Sequence, residues 1–188
     1  MPFYIDKSTA LLMDIRYVPS PNCDARPENE APSLIVLHGI SLPAGEFGGP
    51  HIEQLFTNCL AVSASPDFAE LSELQVSSHL LIRRDGEVIQ FVPFDRRAWH
   101  AGASQYQGRE RCNDFSIGIE LEGTDVIPYE AVQYERLADI IACLLRTYPS
   151  LQRQHITGHS DIAPDRKTDP GPAFEWAKLS HVLDGILG

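Results

Sequence analysis

Ser116-Ile117-Gly118-Ile119-Glu120-Leu121-Glu122 alternates apolar and polar residues. Successive side chains of an extended chain point to opposite faces, so this pattern predicts a strand. Ile117, Ile119 and Leu121 take one face; Glu120 and Glu122 take the other. Upstream, Ser33-Leu34-Ile35-Val36-Leu37-His38 is apolar and partly β-branched, which predicts a buried central strand. Between them, residues 79–83 and 87–92 flank Arg84-Asp85-Gly86. Asp-Gly between two such runs predicts a hairpin, because glycine accepts positive φ at the turn. Residues 50–60 predict a short helix carrying Ile52, Leu55, Phe56 and Leu60.

Downstream, Pro128 opens a helix running to about Thr147, with a core stripe of Tyr134, Leu137, Ala138, Ile141, Leu144, Leu145 and Tyr148. A last amphipathic helix carries Leu179, Val182, Leu183, Ile186 and Leu187. Residues 1–32 are rich in Pro and Asn and predict an irregular N-terminal arm. Residues 93–115 form a long loop, a length that in compact domains tends to carry function. The sum is one α/β domain over residues 1–188: a mixed central sheet flanked by helices, with long loops at the site.

The 188 residues suit one domain with one sizeable core. Net charge is -11 with pI near 5.0, the wrong balance for sequence-independent nucleic-acid binding. No apolar run is long enough to span a membrane. The N-terminus shows no basic start followed by an apolar block, and Cys23, Cys59, Cys112 and Cys143 form no CxxC pair. Both features predict a cytoplasmic protein with reduced thiols.

The chemistry concentrates at a few positions. His38 ends the apolar strand just before a Gly/Pro-rich loop, and functional groups collect at such strand ends. Residues 155–172 hold two histidines, three aspartates and Lys167, and Pro164, Pro170 and Pro172 bar a regular helix there. Two histidines and one carboxylate with an open fourth position describe a catalytic zinc site. His38, His159 and Asp169 are one such set; His100, His155, Asp161 and Asp165 compete, and spacing alone does not exclude them. Glu120 and Glu122 read either as groups facing a site or as a charged strand face in water. Lys167 reads as a solvated charge or as a donor beside the metal, Trp99 as core or as a sugar platform, and Arg111 as a surface ion pair or a substrate contact. His79 reads as structural, His155 and His181 as surface or cap residues.

Four blocks carry a resemblance: LIVLHGISLPAGEFGGP (34–50), VSSHLLIRRDGEVIQFVPFDRRAWHAGAS (76–104), RCNDFSIGIELEGTD (111–125) and ITGHSDIAPDRKTDPGPAF (156–174). Together they make the chain similar to the AmpD-type N-acetylmuramoyl-L-alanine amidases. These belong to a zinc amidase group with the phage amidase-type lysozymes and the peptidoglycan recognition proteins. The resemblance implies one zinc ion on His38, His159 and Asp169, Glu120 as the catalytic carboxylate, and Lys167 assisting. It places Trp99 and Arg111 near the substrate. The implied reaction is hydrolysis of the lactyl–L-alanine amide of (1,6-anhydro-)N-acetylmuramyl peptides in cell-wall recycling, with the small muropeptide as partner and a monomer favoured. Gly39 departs from the pattern, since the family often carries Asn or Tyr after the first histidine. His51 stands where an aromatic is common. A non-catalytic muropeptide-binding module is the alternative, and retention of all four site residues argues against it. A lytic enzyme acting on intact wall would favour an export signal or a basic surface.

Overall fold

Two long parallel strands form the centre of the sheet, β2 (Leu34–Ile40) and β5 (Ser116–Glu122). The structure is a computed structural model that describes residues 2–65 and 68–188. Four shorter strands complete the main sheet: β1 (Arg16–Tyr17), β3 (Leu80–Ile82), β4 (Val88–Gln90) and β6 (Ile156–Gly158). The order is β6-β2-β5-β3-β4-β1. Only the β3–β4 pair is antiparallel, so the sheet is mixed. The hairpin closes at Arg84-Asp85-Gly86 as expected: Gly86 has φ +86°, and the Asp85 carboxylate accepts the Glu87 N–H at 3.0 Å.

The alternation along the central strands sorts the two faces. Ile35 and Leu37 of β2 join Ile117, Ile119 and Leu121 of β5 in the main core. That core is covered by α2 (Ala131–Thr147) and α4 (Trp176–Leu187), which contribute Tyr134, Leu137, Ile141, Leu179 and Leu183. Each such fully buried aliphatic or aromatic side chain is worth about 1.5–3 kcal/mol of transfer free energy. Ile186 and Leu187 at the end of that last helix are exposed. Helix α2 begins with a reciprocal cap between Glu130 and Gln133. The buried Gln133 amide also donates to the Ile82 and Glu122 carbonyls, fixing the helix start to two strand ends.

The opposite face carries the even-numbered residues of β2 and β5. Leu34 and Val36 pack there with Cys112, Phe115 and Ile162, and α1 (His51–Phe56) covers the far side over Leu81, Ile89 and Phe91. His38 and Glu120 lie on this same face and are direct partners in the β2–β5 register.

The irregular arm expected over residues 1–32 is instead laced into the domain. Residues 5–6 pair with 11–12, Arg16–Tyr17 adds the last strand of the sheet, and Cys23–Ala25 pairs with Arg96–Ala98. Buried polar groups recruit it: the Gln90 amide accepts the Leu12 N–H at 2.7 Å and donates to Ala10 O at 3.3 Å. The Arg26 guanidinium donates to the carbonyls of Phe94, Asp114 and Ser116. Strands of two or three residues carry no periodicity, so composition alone hides them. The same holds for β6 and for the single helical turn α3 (His159–Ile162), which interrupt the segment read as irregular.

Candidate active site

Three side chains from distant parts of the chain meet on the face opposite α2 and α4. His38 Nδ1 lies 3.0 Å from His159 Nδ1 and 3.2 Å from Asp169 Oδ2, and His159 Nδ1 lies 3.1 Å from that same oxygen. Each arrives by a different device. His38 is the fifth residue of β2, near its carboxyl end. His159 opens α3, whose turn is capped by Asp161 accepting the Gly158 N–H and the Thr157 hydroxyl at 2.8 Å each. Asp169 is brought back to α3 by a bond from the Ser160 N–H to its carbonyl, 2.9 Å.

The outer ring nitrogens are already engaged. His38 Nε2 lies 2.9 Å from His100 Nδ1, and His159 Nε2 lies 3.3 Å from the Ala101 carbonyl. In the tautomer that carries the N–H on both Nε2 atoms and donates outward, the inner Nδ1 atoms present lone pairs toward a carboxylate oxygen. Three acceptors facing one another repel unless a cation sits among them. Tetrahedral zinc with bonds of about 2.0–2.1 Å sets its ligand atoms about 3.3 Å apart. The observed triangle is close to that size, and among the described residues these three side chains bring their ligand atoms close enough to share one metal ion.

Charge states agree. Burial lowers the His38 pKa to about 4, only partly opposed by the Asp169 hydrogen bond, so the ring is neutral near pH 7. Burial pushes the Asp169 carboxyl up, but its bonds with His159 and His38 outweigh that and hold it below the ordinary range. Glu120 moves the other way. Burial raises it well above the usual carboxylate range, Asp169 adds to the rise, and Lys167 opposes it. The Glu120 side chain is 8% exposed and its Oε2 has no hydrogen-bond partner. A buried carboxyl oxygen without a partner is costly, on the order of 1–3 kcal/mol, and points to a function.

These features combine two histidines, an aspartate and a desolvated carboxyl at the ends of parallel strands. Over residues 28–172 the sequence matches the Amidase_2 family, N-acetylmuramoyl-L-alanine amidase. The chain belongs to that family. The chain is 62% identical over 172 residues to the 1,6-anhydro-N-acetylmuramyl-L-alanine amidase AmpD of Enterobacter cloacae, covering 92% of this chain and 91% of that protein. It is likewise 62% identical to AmpD of Escherichia coli K12, covering 92% and 93%. A crystal structure of a selenomethionine AmpD derivative superimposes with a TM-score of 0.92 at 56% identity, covering 95% of this chain and 98% of that one. The chain is therefore an amidase of this family, with the amidase fold.

Within this amidase the other expected positions separate. Lys167 is half-buried and close enough for its charge to act on both Glu120 and His38. The Trp99 indole N–H donates to Asp24 at 3.2 Å and its backbone N–H to Ser77 at 3.2 Å, so its hydrogen bonds lead away from the three converging groups. Arg111 is 72% exposed beside Asp114 and lines a cleft of about 630 Å³ with Ala103, Ser104, Ile162 and Arg166. Of the competitors, His100 stands behind His38, His155 bonds Tyr106, Asp161 caps α3, and Asp165 is exposed. His79 is buried and structural: its Nδ1 accepts the Gly118 N–H and its Nε2 donates to Arg96 O.

Glu122 is not a solvated charge. It is 2% exposed and takes the Arg83 guanidinium at 3.1 Å and the N–H groups of Gly48 and Arg84 at 2.7 and 3.3 Å. Tyr129 is a residue that sequence reasoning missed. Its hydroxyl donates to Pro170 O at 3.0 Å, directly after Asp169. A Cβ at Gly39 would fall 2.3 Å from that hydroxyl, so the departure at Gly39 makes room for it. A gap in one segment filled by a side chain 90 residues away leaves no local signal.

Proposed function

We propose that this amidase is zinc-dependent and hydrolyses the amide between the lactyl group and L-alanine of 1,6-anhydro-N-acetylmuramyl peptides, in recycling of cell-wall fragments. The observation that carries the reading is the convergence of His38 Nδ1, His159 Nδ1 and Asp169 Oδ2 beside the unpartnered Glu120. The names of its close relatives support the substrate. Those three side chains would hold the ion. When bound, zinc supplies Lewis acidity toward water and toward an amide carbonyl.

The chain's own groups do the rest. Glu120 takes a proton from the attacking water and delivers it to the departing alanine nitrogen, as a desolvated carboxyl with a raised pKa is suited to do. One C–O bond forms, the C–N bond breaks, and one water is consumed. The Lys167 ammonium stabilises the carbonyl oxygen as charge develops on it. Trp99 and Arg111 would contact the substrate at its periphery, with Arg111 lining the adjoining cleft. A binding module has no use for a buried carboxyl left without a partner.

The reading as a cytoplasmic protein rests on four free thiols, which suit a reducing compartment. Among the described residues no helix is long and apolar enough to cross a membrane.

Mass spectrometry of an anhydro-muramyl tripeptide tests the proposal. Zinc-loaded protein should release the free anhydro sugar and a peptide beginning with L-alanine, and chelator-treated protein should release neither. Equal cleavage by both preparations would overturn the metal dependence; no cleavage by either would overturn the substrate.

A further inference from the structure

We infer that His100 is a positioning residue for the metal site: with the adjacent Ala101 carbonyl it holds the outer nitrogens of both candidate histidine ligands and so aims their Nδ1 lone pairs inward. The inference rests on the metal reading above and concerns residues that are not themselves ligands.

Two consecutive residues meet two histidines. His100 Nδ1 faces His38 Nε2 at 2.9 Å, and Ala101 O faces His159 Nε2 at 3.3 Å. A single side chain pins the backbone between them: Asn113 Oδ1 accepts the N–H groups of His100 and Ala101 at 3.1 and 2.8 Å. Arg166 adds a 2.7 Å bond to the same Ala101 carbonyl.

The His100 ring is itself anchored at its far end. Its Nε2 lies 3.0 Å from the hydroxyl of Ser116, which is fully buried at the start of β5. The ring lies flat against that strand where the strand has no side chain. A Cβ at Gly118 would come within 2.5 Å of His100 Cγ, a distance that real structures do not show. Ser116 and Gly118 thus seat the ring whose inner nitrogen meets His38.

Seating matters because a hydrogen-bonded row of imidazoles has two proton polarities. In one, Ser116 donates to His100, His100 donates to His38, and His38 carries its proton on Nδ1, where it blocks a cation. In the other, His38 Nε2–H donates to His100 Nδ1, His100 Nε2–H donates to Ser116, and His38 Nδ1 is bare. His100 can accept from His38 only because Ser116 offers its oxygen to the opposite nitrogen. Partners of this kind set ligand tautomer and orientation, and losing them typically costs 10–100-fold in metal affinity.

The test is zinc affinity by chelator competition on the metal-free protein, for His100→Leu, His100→Asn and Ser116→Ala beside wild type. His100→Leu keeps bulk but offers no acceptor and should bind zinc about 10–100-fold more weakly. His100→Asn, whose amide oxygen can accept from His38 Nε2–H, should recover most of that loss. Ser116→Ala should fall between wild type and His100→Leu. Nitrogen-15 NMR of the zinc-loaded wild type should show His38 protonated on Nε2. Zinc affinity of His100→Leu within threefold of wild type would reduce His100 to core filling. Should His100→Leu not fold, wild-type affinity of Ser116→Ala together with a His38 proton on Nδ1 would overturn the inference equally. Failure of wild type to bind zinc would instead sink the metal reading.

Discussion

Glu120 and Glu122 stand two residues apart on one strand, on one face, and both are buried, yet they do opposite work. Glu122 is saturated: the Arg83 guanidinium and two backbone N–H groups satisfy it, and Arg83 continues to Glu53 and Glu53 to Arg16. Through Gly48 and Gly49 this network also fastens the loop that follows β2. Glu120 has an oxygen with no partner, sits beside His38 in register, and is raised by burial well above the usual carboxylate range. A carboxylate that is paired stabilises; one denied a partner is available for proton transfer.

The largest expected effect falls on Glu120. Glu120→Gln should lower kcat by about 10³-fold, within the range for loss of a general acid–base. Its stability should hold or rise, since a neutral amide replaces a carboxyl whose charged form burial disfavours. A variant with near wild-type kcat would end the assignment of Glu120. Next, Lys167→Ala should lower kcat by about 10²–10³-fold, as loss of an oxyanion donor does elsewhere. Unchanged kcat would leave Lys167 as a solvated charge.

The opposite pattern is expected at Glu122. Glu122→Gln should cost about 2–4 kcal/mol in urea unfolding, toward the lower end of buried-pair losses because Arg83 keeps Glu53 and Glu87. Once folded, the variant should retain kcat within about tenfold of wild type, which is about 1.4 kcal/mol in barrier height. A kcat as low as that of Glu120→Gln would erase the distinction between the two acids.

The dependence on pH sharpens it further. Burial holds His38 and His79 below their ordinary pKa, at about 4 and about 3, and holds His100 well below it. The unfolded chain therefore binds protons that the folded chain refuses. Stability from these rings is fully present above the unfolded value near 6.5 and drains as pH falls toward the folded values. Each ring contributes a slope of about 1.4 kcal/mol per pH unit in that window. Glu120, raised by burial, has the opposite sign and loses stability as pH rises. Metal-free Glu120→Gln should thus show a lower urea midpoint at pH 5.5 than at pH 7.5, and a steeper fall than wild type. A flat profile would mean that these histidines are not buried neutral.

The same pair of acids marks how far the sequence could be read. The alternation over 116–122 placed both on the face opposite the isoleucines, and the Asp85-Gly86 turn and the two long helices were equally plain, because each is a local pattern. The partners of the acids were not legible. Arg83, Gly48 and Glu53 reach Glu122 from three other segments, and no spacing rule links them to it. Among the histidines, residue types alone left His38, His100, His155 and His159 in competition, and the resemblance singled out two. The place of His100 depends on an empty position at Gly118 and a serine at the strand start, which become meaningful only when the chain is folded. The arm over 1–32 hid its order for a related reason: its strands are too short to show a period, Gln90 holds it from within the core, and its own Arg26 reaches the carbonyls of distant segments.

The central claim is that Nδ1 of His38, Nδ1 of His159 and a carboxylate oxygen of Asp169 converge on one ion. Anomalous diffraction at the zinc absorption edge, on crystals of the zinc-loaded protein, addresses it directly. The account predicts one peak per chain inside that triangle, about 2.0–2.2 Å from each of the three atoms. No peak there, or a peak bonded to His100 or to Nε2 of either histidine, would contradict it.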